Sequence, residues 1–315
     1  MKRIALIGEC MIELNGAPFG AMTQAFGGDS LNTAVYLARV AGEKVAIDYV
    51  SALGTDAISN GMLARWQQEG VSTDLVLRDE TRQPGLYLIQ LDEQGERTFL
   101  YWRNQSAARY MIQHADFVRI EAALTKVDMV YLSGISLAIL PAEDRTKLVA
   151  LLASLRQQGV EVAFDSNYRP ALWRDADEAR RCYRQVFEIT DLALVTNDDE
   201  ANLWGDSDEQ ATLNRLQAAG VKKAVVKMGA KGNLYQEFAA DSIADEAETI
   251  ATTLVQTVVD TTSAGDSFNA GFLAGYLQGK DAQQCSRQGH QLAGIVIQHK
   301  GAIIAKQLTD MFRFV

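Results

Sequence analysis

The sequence predicts an α/β fold built on a mostly parallel β-sheet. Apolar stretches at 127–134, 160–167, 190–197 and 222–229 each end in polar or glycine residues, and amphipathic segments separate them. Strands that helices cover on both faces appear in a sequence as continuous apolar runs, whereas half-exposed strands alternate. We therefore expect one sheet with helices packed on both of its faces.

Further elements follow along the chain. RIALIG (3–8) is expected to form the first buried strand, and 141–159 a helix that starts at Pro141 and ends at Gly159. Residues 84–103 alternate like a β-hairpin, with a turn near Gln94 and Gly95. With the glycine-containing segment 13–27, this hairpin is predicted to form a small β lid on a core made of 1–12, 28–83 and 104–315.

Composition excludes several functional classes. The 315 residues carry a formal net charge of −10, which argues against nucleic acid or an anionic membrane as the main partner. Cys10, Cys182 and Cys285 are far apart and no CxxC occurs, so neither a disulfide framework nor a zinc site is indicated. No apolar run approaches membrane-spanning length. We expect a cytoplasmic protein without membrane association.

The strand ends indicate where a ligand would bind. Open parallel sheets bind ligands beyond the carboxyl ends of their strands, so the polar residues that close each apolar run should converge on one rim. These are Glu9, Gly134, 165–169, 197–200 and 229–232. Neither a P-loop motif nor a G-x-G-x-x-G fingerprint is present, which disfavours P-loop and dinucleotide-binding classes.

The stretch DTTSAGDSF (260–268) precedes a helix rich in small residues. The first amides of a helix lack intrahelical partners and bind anions, so the backbone at Ala264 and Gly265 is a candidate phosphate site. Asp266 in the first turn is either a helix cap or a base beside that phosphate. The adjacent glycine and hydroxyl residues favour the base.

Another glycine turn, GGDSLN (27–32), also enters a helix. Gly28 frees the backbone for close approach, and Asp29 and Asn32 offer groups that bind hydroxyls. Ordinary helix capping explains this short segment equally well.

Two arginines follow predicted strands beside tyrosines. Arg103 closes YWR (101–103), and Arg169 lies in FDSNYRP (164–170). Paired guanidinium groups bind carboxylates well, although each arginine could instead pair with a surface acid such as Asp175.

The remaining polar motifs follow the last two predicted strands. Asn197 and Glu200 share a helix face, where they either order the waters of a magnesium ion or form a capping box. KMGAKG (227–232) is either a tight turn or a backbone segment that lies against nucleotide phosphates. The histidines, His114, His290 and His299, lack partner spacing and are expected to be structural.

Together these motifs resemble the ribokinase-like, PfkB-type carbohydrate kinase family along nearly the whole chain. Both family signatures are present in order, as GGDSLNTA (27–34) and DTTSAGDSF (260–268), with NDDE (197–200) and KMGAKG between them. One position departs from the pattern: Ser263 stands where the second signature has its first glycine, so a role that needs positive φ there is in question.

The resemblance implies a three-layer αβα sandwich of the ribokinase type with a small β-sheet lid, and ATP with Mg²⁺ as cofactors. GECMIE (8–13), GLYLIQ (85–90), SGIS (133–136) and DSNYRPALW (165–173) are similar to family members that phosphorylate 2-keto-3-deoxygluconate, a sugar acid. Alternatives are kinases of the galactonate epimer, fructose or a nucleoside. A non-catalytic sugar-acid sensor and a dinucleotide-dependent oxidoreductase rank below these.

The resemblance also assigns roles to single residues. Asp266 is implied to be the catalytic base, assisted by the amides of Ala264 and Gly265. The implied substrate residues are Gly28, Asp29, Asn32, Tyr87, Tyr101, Arg103, Ile135, Arg169 and Asp266. The implied nucleotide residues are Asn197, Lys227, Gly229, Gly232, Ser263, Ala264 and Gly265, and Asn197 with Glu200 would hold magnesium through water. A homodimer or higher homo-oligomer through the lid is expected.

Overall fold

The computed structural model describes residues 1–91, 97–238 and 247–313. The predicted hairpin turn at Gln94 and Gly95 lies outside these described residues. The strands are β1 (Lys2–Ile7), β2 (Met11–Gly16), β3 (Met22–Gly27), β4 (Val45–Gly54), β5 (Val76–Asp79), β6 (Leu86–Leu91), β7 (Arg97–Trp102), β8 (Met129–Ser133), β9 (Glu161–Asp165), β10 (Leu192–Thr196), β11 (Lys223–Lys227), β12 (Asn233–Glu237) and β13 (Glu248–Ile250).

Helices connect and cover these strands. They are α1 (Asp29–Ala41), α2 (Ala57–Gln68), α3 (Phe117–Leu124), α4 (Gly134–Ala138), α5 (Ala142–Gln157), α6 (Ala176–Phe187), α7 (Asn197–Trp204), α8 (Glu209–Ala218), α9 (Ala264–Tyr276) and α10 (Ala282–Val296). The helix predicted over 141–159 is α5, for which Pro141 is the N-cap.

The large sheet has the strand order β13-β12-β11-β10-β9-β8-β1-β4-β5. All pairs from β11 to β5 are parallel, and β12 and β13 are antiparallel additions at one edge. The predicted α/β class with a mostly parallel sheet is therefore confirmed.

The central strands are apolar on both faces because helices cover both. Along β1, Ile4 and Leu6 belong to a core cluster with α1, α9 and α10, whereas Ala5 and Ile7 belong to a second cluster with α3, α5 and α6. Successive strand side chains point to opposite faces, so the two clusters lie on opposite sides of the sheet. The result is the three-layer αβα sandwich that the sequence predicted.

Close packing on α10 fixes the position of α9 over the large sheet. A Cβ on Gly271 would lie 2.6 Å from the carbonyl oxygen of Gln288, a separation that no side chain tolerates. Glycine at this position therefore lets the two helix backbones approach, and the N-terminus of α9 is held at the carboxyl edge of the large sheet.

The small sheet has the order β3-β2-β6-β7. β2 pairs in parallel with β6, and β3 and β7 are antiparallel edge strands. Its strands fall mainly within 13–27 and 84–103, the ranges predicted for the lid, although β2 begins earlier, at Met11. The division into core and lid stays a prediction. Among the described residues, no helix is both long and apolar enough to cross a membrane.

Candidate active site

A cavity of about 810 Å³ opens at the carboxyl edge of the parallel strands. The last residues of β9, β10 and β11, which are Asp165, Thr196 and Lys227, all line it. The first turns of α1 and α9 reach the same space through Asp29 and Gly265. Sheet edge and helix N-termini therefore converge here, an arrangement suited to anionic ligands.

Asp266 is held in a defined orientation on the cavity wall. Its Oδ2 accepts hydrogen bonds from Asn32 Nδ2 and from Ser263 Oγ, each at 2.9 Å. No donor to Oδ1 is found among the described residues, so this oxygen is available to a ligand hydroxyl.

The surroundings of Asp266 favour its neutral form. Burial raises the pKa of the Asp266 carboxyl to about 7, and the nearby carboxylates of Asp29 and Asp165 act in the same direction. The hydrogen bonds from Asn32 and Ser263 oppose this shift because they stabilise the charged form. A carboxyl that titrates near neutrality is well matched to accepting a proton from an alcohol.

A buried polar network supports the carboxylate of Asp165. Lys227 Nζ lies 3.3 Å from Asp165 Oδ1 and donates to Asn269 Oδ1 at 3.1 Å. Asn269 Nδ2 in turn donates to Asp165 Oδ2 at 2.8 Å and to the Tyr131 hydroxyl at 3.1 Å. Lys227 therefore enters the cavity wall as one half of an ion pair, with its ammonium close to Gly265.

The N-terminus of α9 has an unusual cap. Ser263 adopts φ 64° and ψ 13°, a left-handed conformation that glycine takes easily and other residues take at a cost of about 1 kcal/mol. The Ala264 amide already donates to the Thr261 carbonyl at 3.1 Å. The predicted anion-binding amides are therefore better represented by Gly265 and Asp266, for which the described residues supply no acceptor.

Most of the predicted substrate residues come together. Those that line the cavity with Asp266 are Gly28, Asp29, Asn32, Tyr87, Tyr101, Ile135 and Arg169. Asp29 is oriented by Asn167, whose Nδ2 donates to Asp29 Oδ2 at 2.7 Å. Tyr87 donates a short hydrogen bond to the carboxylate of Glu13. Gly28 is required sterically, because a Cβ there would lie 2.1 Å from the Glu9 carbonyl oxygen.

The two predicted arginines differ in their surroundings. Arg103 does not line the cavity: its side chain is 9% exposed and pairs with the buried carboxylate of Glu9, to which Nε donates at 2.8 Å. Ser106 also donates to that carboxylate. Arg169 does line the cavity, is half exposed, and contacts Asp199 at 3.3 Å. Of the expected arginine pair, only Arg169 therefore lies at the cavity wall, while Glu9 engages Arg103, and the carboxylate-binding role of the pair stays a prediction.

The role of the predicted magnesium residues stays a prediction. Neither Asn197 nor Glu200 lines the cavity, and Glu200 is fully buried against Arg215, with an Oε2–Nη2 distance of 2.5 Å. Burial raises the pKa of Glu200 to about 7, while Arg215 lowers it. Asp198 and Asp199 of the same helical turn do line the cavity. The described residues contain no cluster of three or more His, Cys, Asp or Glu positioned to hold a metal ion.

The residues predicted to lie beside the nucleotide also line the cavity. They are Gly229 and Gly232, with Lys227 and Ser263. Gly232 has φ 100°, and a Cβ there would lie 2.1 Å from the Ile250 carbonyl oxygen, so only glycine fits. Further lining residues, mostly apolar, are Thr252, Thr253, Leu254, Val255, Val258, Ala293 and Ile297.

Three residues at or beside the site were missed by the sequence analysis. His290, expected to be structural, lines the cavity and shares a 2.8 Å hydrogen bond with Asn233 Oδ1. Asn269 donates a hydrogen bond to Asp165, and the Tyr131 hydroxyl lies 3.5 Å from the same carboxylate. Asn269 lies three residues after Asp266 on α9, so its helix face was a usable signal, whereas His290 and Tyr131 had none.

The chain is similar to known proteins over nearly its whole length. The family model described as pfkB family carbohydrate kinase matches residues 1–309. The chain is 57% identical over 307 residues to the 2-dehydro-3-deoxygluconokinase of Haemophilus influenzae, covering 97% of this chain and 96% of that protein. A PfkB protein from Polaromonas sp. JS666 superposes with a TM-score of 0.82 at 25% identity, covering 98% and 99% of the two chains. A structural relative from Escherichia coli, solved with ATP and Mg²⁺, has a TM-score of 0.82 at 22% identity and covers 96% and 94%.

Replacing Asp266 should lower activity and raise thermal stability. If Asp266 is the base that the resemblance implies, Asp266→Asn should lower kcat by about 10²- to 10⁴-fold. The same change should raise Tm at pH 8, since it removes a charge that the fold disfavours. The pKa of Asp266 is higher in the folded protein than in the unfolded chain. Its contribution to the free energy of unfolding is therefore complete at acid pH and is lost as pH rises through about 7. The Tm difference should therefore be small at pH 4.

Thermal unfolding at several pH values, beside steady-state kinetics, checks both signs. An active Asp266→Asn enzyme would remove Asp266 as the base. A Tm difference that does not vary with pH would contradict the electrostatic account.

Proposed function

Because the chain belongs to the pfkB family of carbohydrate kinases, we propose that it phosphorylates 2-keto-3-deoxy-D-gluconate with ATP. The phosphoryl group goes to the terminal hydroxyl and gives 2-keto-3-deoxy-6-phosphogluconate, a step of sugar-acid catabolism in the cytoplasm. The observation that carries the proposal is Asp266, a carboxylate with one free oxygen in the first turn of a helix whose N-terminus faces the same cavity.

Asp266 performs the proton transfer in this proposal. Its Oδ1 accepts the proton of the terminal hydroxyl while that oxygen forms a bond to the γ-phosphorus and the bond to the β-phosphate oxygen breaks, releasing ADP. The amides of Gly265 and Asp266 stabilise negative charge on the transferring group at the N-terminus of α9. Lys227 adds a positive charge beside Gly265 while its partner Asp165 keeps it in place.

The residues present fit magnesium bound with the nucleotide. Asp198 and Asp199 line the cavity and would hold Mg²⁺ through its waters, since this ion prefers oxygen ligands and commonly keeps several waters. When bound, the ion would neutralise charge on the phosphates. Asn197 and Glu200 would act behind these residues, through the position of α7, and the water-mediated contact predicted for them stays a prediction.

The preference for a sugar acid is supported by Arg169. Its guanidinium lines the cavity and is half exposed, so it is accessible to a substrate carboxylate, and the contact with Asp199 at 3.3 Å is loose. Tyr87 and Tyr101 form the opposite wall on the small sheet. In this proposal the small sheet is a lid that excludes water from the phosphoryl group. Arg103 holds the base of that lid through Glu9.

A homodimer through the lid is supported by the exposed edge strand β7. Phe99, Leu100, Tyr101 and Trp102 are consecutive large apolar residues that are 39–58% exposed. Exposed apolar edge strands attract further chains, so soluble proteins normally cover them. We propose that the lid of a second copy covers this strand.

The first experiment measures ADP release with Mg·ATP and four acceptors: 2-keto-3-deoxygluconate, its galactonate epimer, fructose and ribose. We expect kcat/KM for the gluconate to exceed that for the neutral sugars by at least about 100-fold, since they leave Arg169 unpaired by a carboxylate. Preference for a neutral sugar would refute the acid pocket. Equal turnover of both epimers would leave a kinase without C4 selectivity, and no turnover of any acceptor would point to a sensor.

Arg169 has its own test. Arg169→Gln should raise KM for the sugar acid by about 10- to 100-fold, because a charge-assisted hydrogen bond is lost, and should leave kcat/KM for fructose unchanged. The matched control is Arg174→Gln, since Arg174 is exposed, pairs with Asp175 and does not line the cavity. An equal loss with both acceptors would assign Arg169 to folding rather than to recognition of the carboxylate.

The dimer is tested by light scattering after size-exclusion chromatography. We expect a wild-type mass near twice 34.5 kDa and a shift towards the monomer in Trp102→Glu, because a charge is introduced into the apolar contact. Val118→Glu is the control, since Val118 is also exposed and apolar but lies on α3 of the core. A monomeric wild type, or equal shifts in both variants, would exclude this interface.

A further inference from the structure

Ser263 occupies a position that glycine would fill with less strain. It is the N-cap of α9 with φ 64°, and only Phe19 and Asn167 share a positive φ among the other described non-glycine residues. In the family signature the same position is a glycine. The backbone here therefore has the conformation that the signature glycine permits, but the side chain is a hydroxymethyl group.

The hydroxyl of Ser263 does not perform the usual task of an N-cap serine. Such a side chain normally accepts a hydrogen bond from an amide of the first turn, and Ser263 makes no such bond. It donates instead to Asp266 Oδ2 at 2.9 Å. The first-turn amides of Gly265 and Asp266 are thereby left for a ligand, and the serine acts on the carboxylate.

We propose that Ser263 is a positioning residue for the phosphoryl transfer: its hydroxyl, together with Asn32, holds Asp266 by one oxygen so that the other faces the acceptor hydroxyl in its ionised form. This inference deepens the proposed function and rests on Asp266 as the base. A glycine at this position would relieve the backbone strain but could not donate this hydrogen bond to Asp266.

The charges around Asp266 explain why a donor is needed. The titratable groups that surround it on the packed elements are Asp29 and Tyr36 on α1, Tyr131 on β8, Asp165 on β9 and Lys227 on β11. Burial and the two aspartates raise the pKa of Asp266 to about 7, and Lys227, the cation found nearby in the described part of the chain, is paired with Asp165. The stabilisation of its charged form therefore depends on two neutral donors, Asn32 and Ser263.

The test replaces Ser263 by the family residue. We expect Ser263→Gly to raise the apparent pKa of the acidic limb of kcat/KM, at saturating Mg·ATP, by about one pH unit, because a hydrogen bond to the charged form is lost. Activity should fall more below that pKa than above it, because at high pH the Asp266 carboxylate is ionised even without this donor. Tm should rise by roughly 2 °C, because glycine relieves the left-handed strain.

Ser263→Ala is the matched variant, since it also lacks the hydroxyl but keeps the strain. It should show the same shift of the acidic limb without the gain in Tm. An acidic limb unchanged in both variants overturns the proposal. So does a loss of activity at every pH with the limb unchanged, which would mean that Ser263 only shapes the phosphate-binding backbone.

A second readout separates this inference from the proposed function. ¹³C NMR titration of the Asp266 carboxyl, assigned with Asp266→Asn, measures the effect of Ser263→Gly without turnover. If the wild type phosphorylates no acceptor but the carboxyl pKa rises in the variant, the kinase proposal fails while the link between Ser263 and Asp266 stands. If the wild type is active and the carboxyl pKa does not change, only the inference about Ser263 fails.

Discussion

Three carboxylates, those of Asp29, Asp165 and Asp266, meet at the carboxyl edge of one parallel sheet, and the surrounding site is arranged around their mutual repulsion. Each has its own partners. Asn167 donates to Asp29, Lys227 and Asn269 hold Asp165, and Asn32 with Ser263 holds Asp266. Among the described residues, only Asp165 of the three is paired with a cation, and the donors to Asp266 are neutral. Burial and the neighbouring carboxylates raise the pKa of Asp266 to about 7, a value suited to a base near neutral pH.

The ion pair of Glu9 and Arg103 joins the core to the small sheet. Glu9 follows β1 in the centre of the large sheet, and Arg103 follows β7 at the edge of the small one. Removing one partner of such a buried pair costs about 3–5 kcal/mol, because the other charge is left uncompensated. Gly85 belongs to the same junction, since a Cβ there would lie 2.9 Å from Glu9 Oε1. Arg103 therefore helps to hold the small sheet against the core.

Local patterns were sufficient for the fold and for the centre of the site. Continuous apolar runs depend on burial of neighbouring positions, and the strand ends they mark converge in an open parallel sheet, which is why Asp165, Arg169 and Gly229 line one cavity. Lys227 and Asp266 line it too, but they were singled out by the family resemblance and by the helix-start motif. The signature DTTSAGDSF also contained the question about Ser263, and the structure answers it: φ is positive there, and a serine adopts it.

The choice of partner for each charged side chain could not be predicted in the same way. Arg103 and Glu9 are 94 residues apart, and Glu200 pairs with Arg215 from a different helix. Such pairings depend on tertiary packing, so the residue types and their spacing did not reveal that Glu9 engages Arg103 or that Arg215 engages Glu200. His290 shows the converse, because its place in the wall comes from the packing of α10 on α9.

The same crowding gives the cavity an excess of negative charge. Among the described residues that line it, the acids are Asp29, Asp165, Asp198, Asp199 and Asp266, and the cations are Lys227 and Arg169. Both cations are already paired, with Asp165 and Asp199. If the proposed substrates are correct, two anionic molecules enter a net-negative cavity, so their binding depends on the amides at α9, on exchange of Asp199 for a substrate carboxylate at Arg169, and on the ion carried with the nucleotide. The carboxylates that repel one another in this cavity are thus the groups whose charge the bound ligands and their ion must offset.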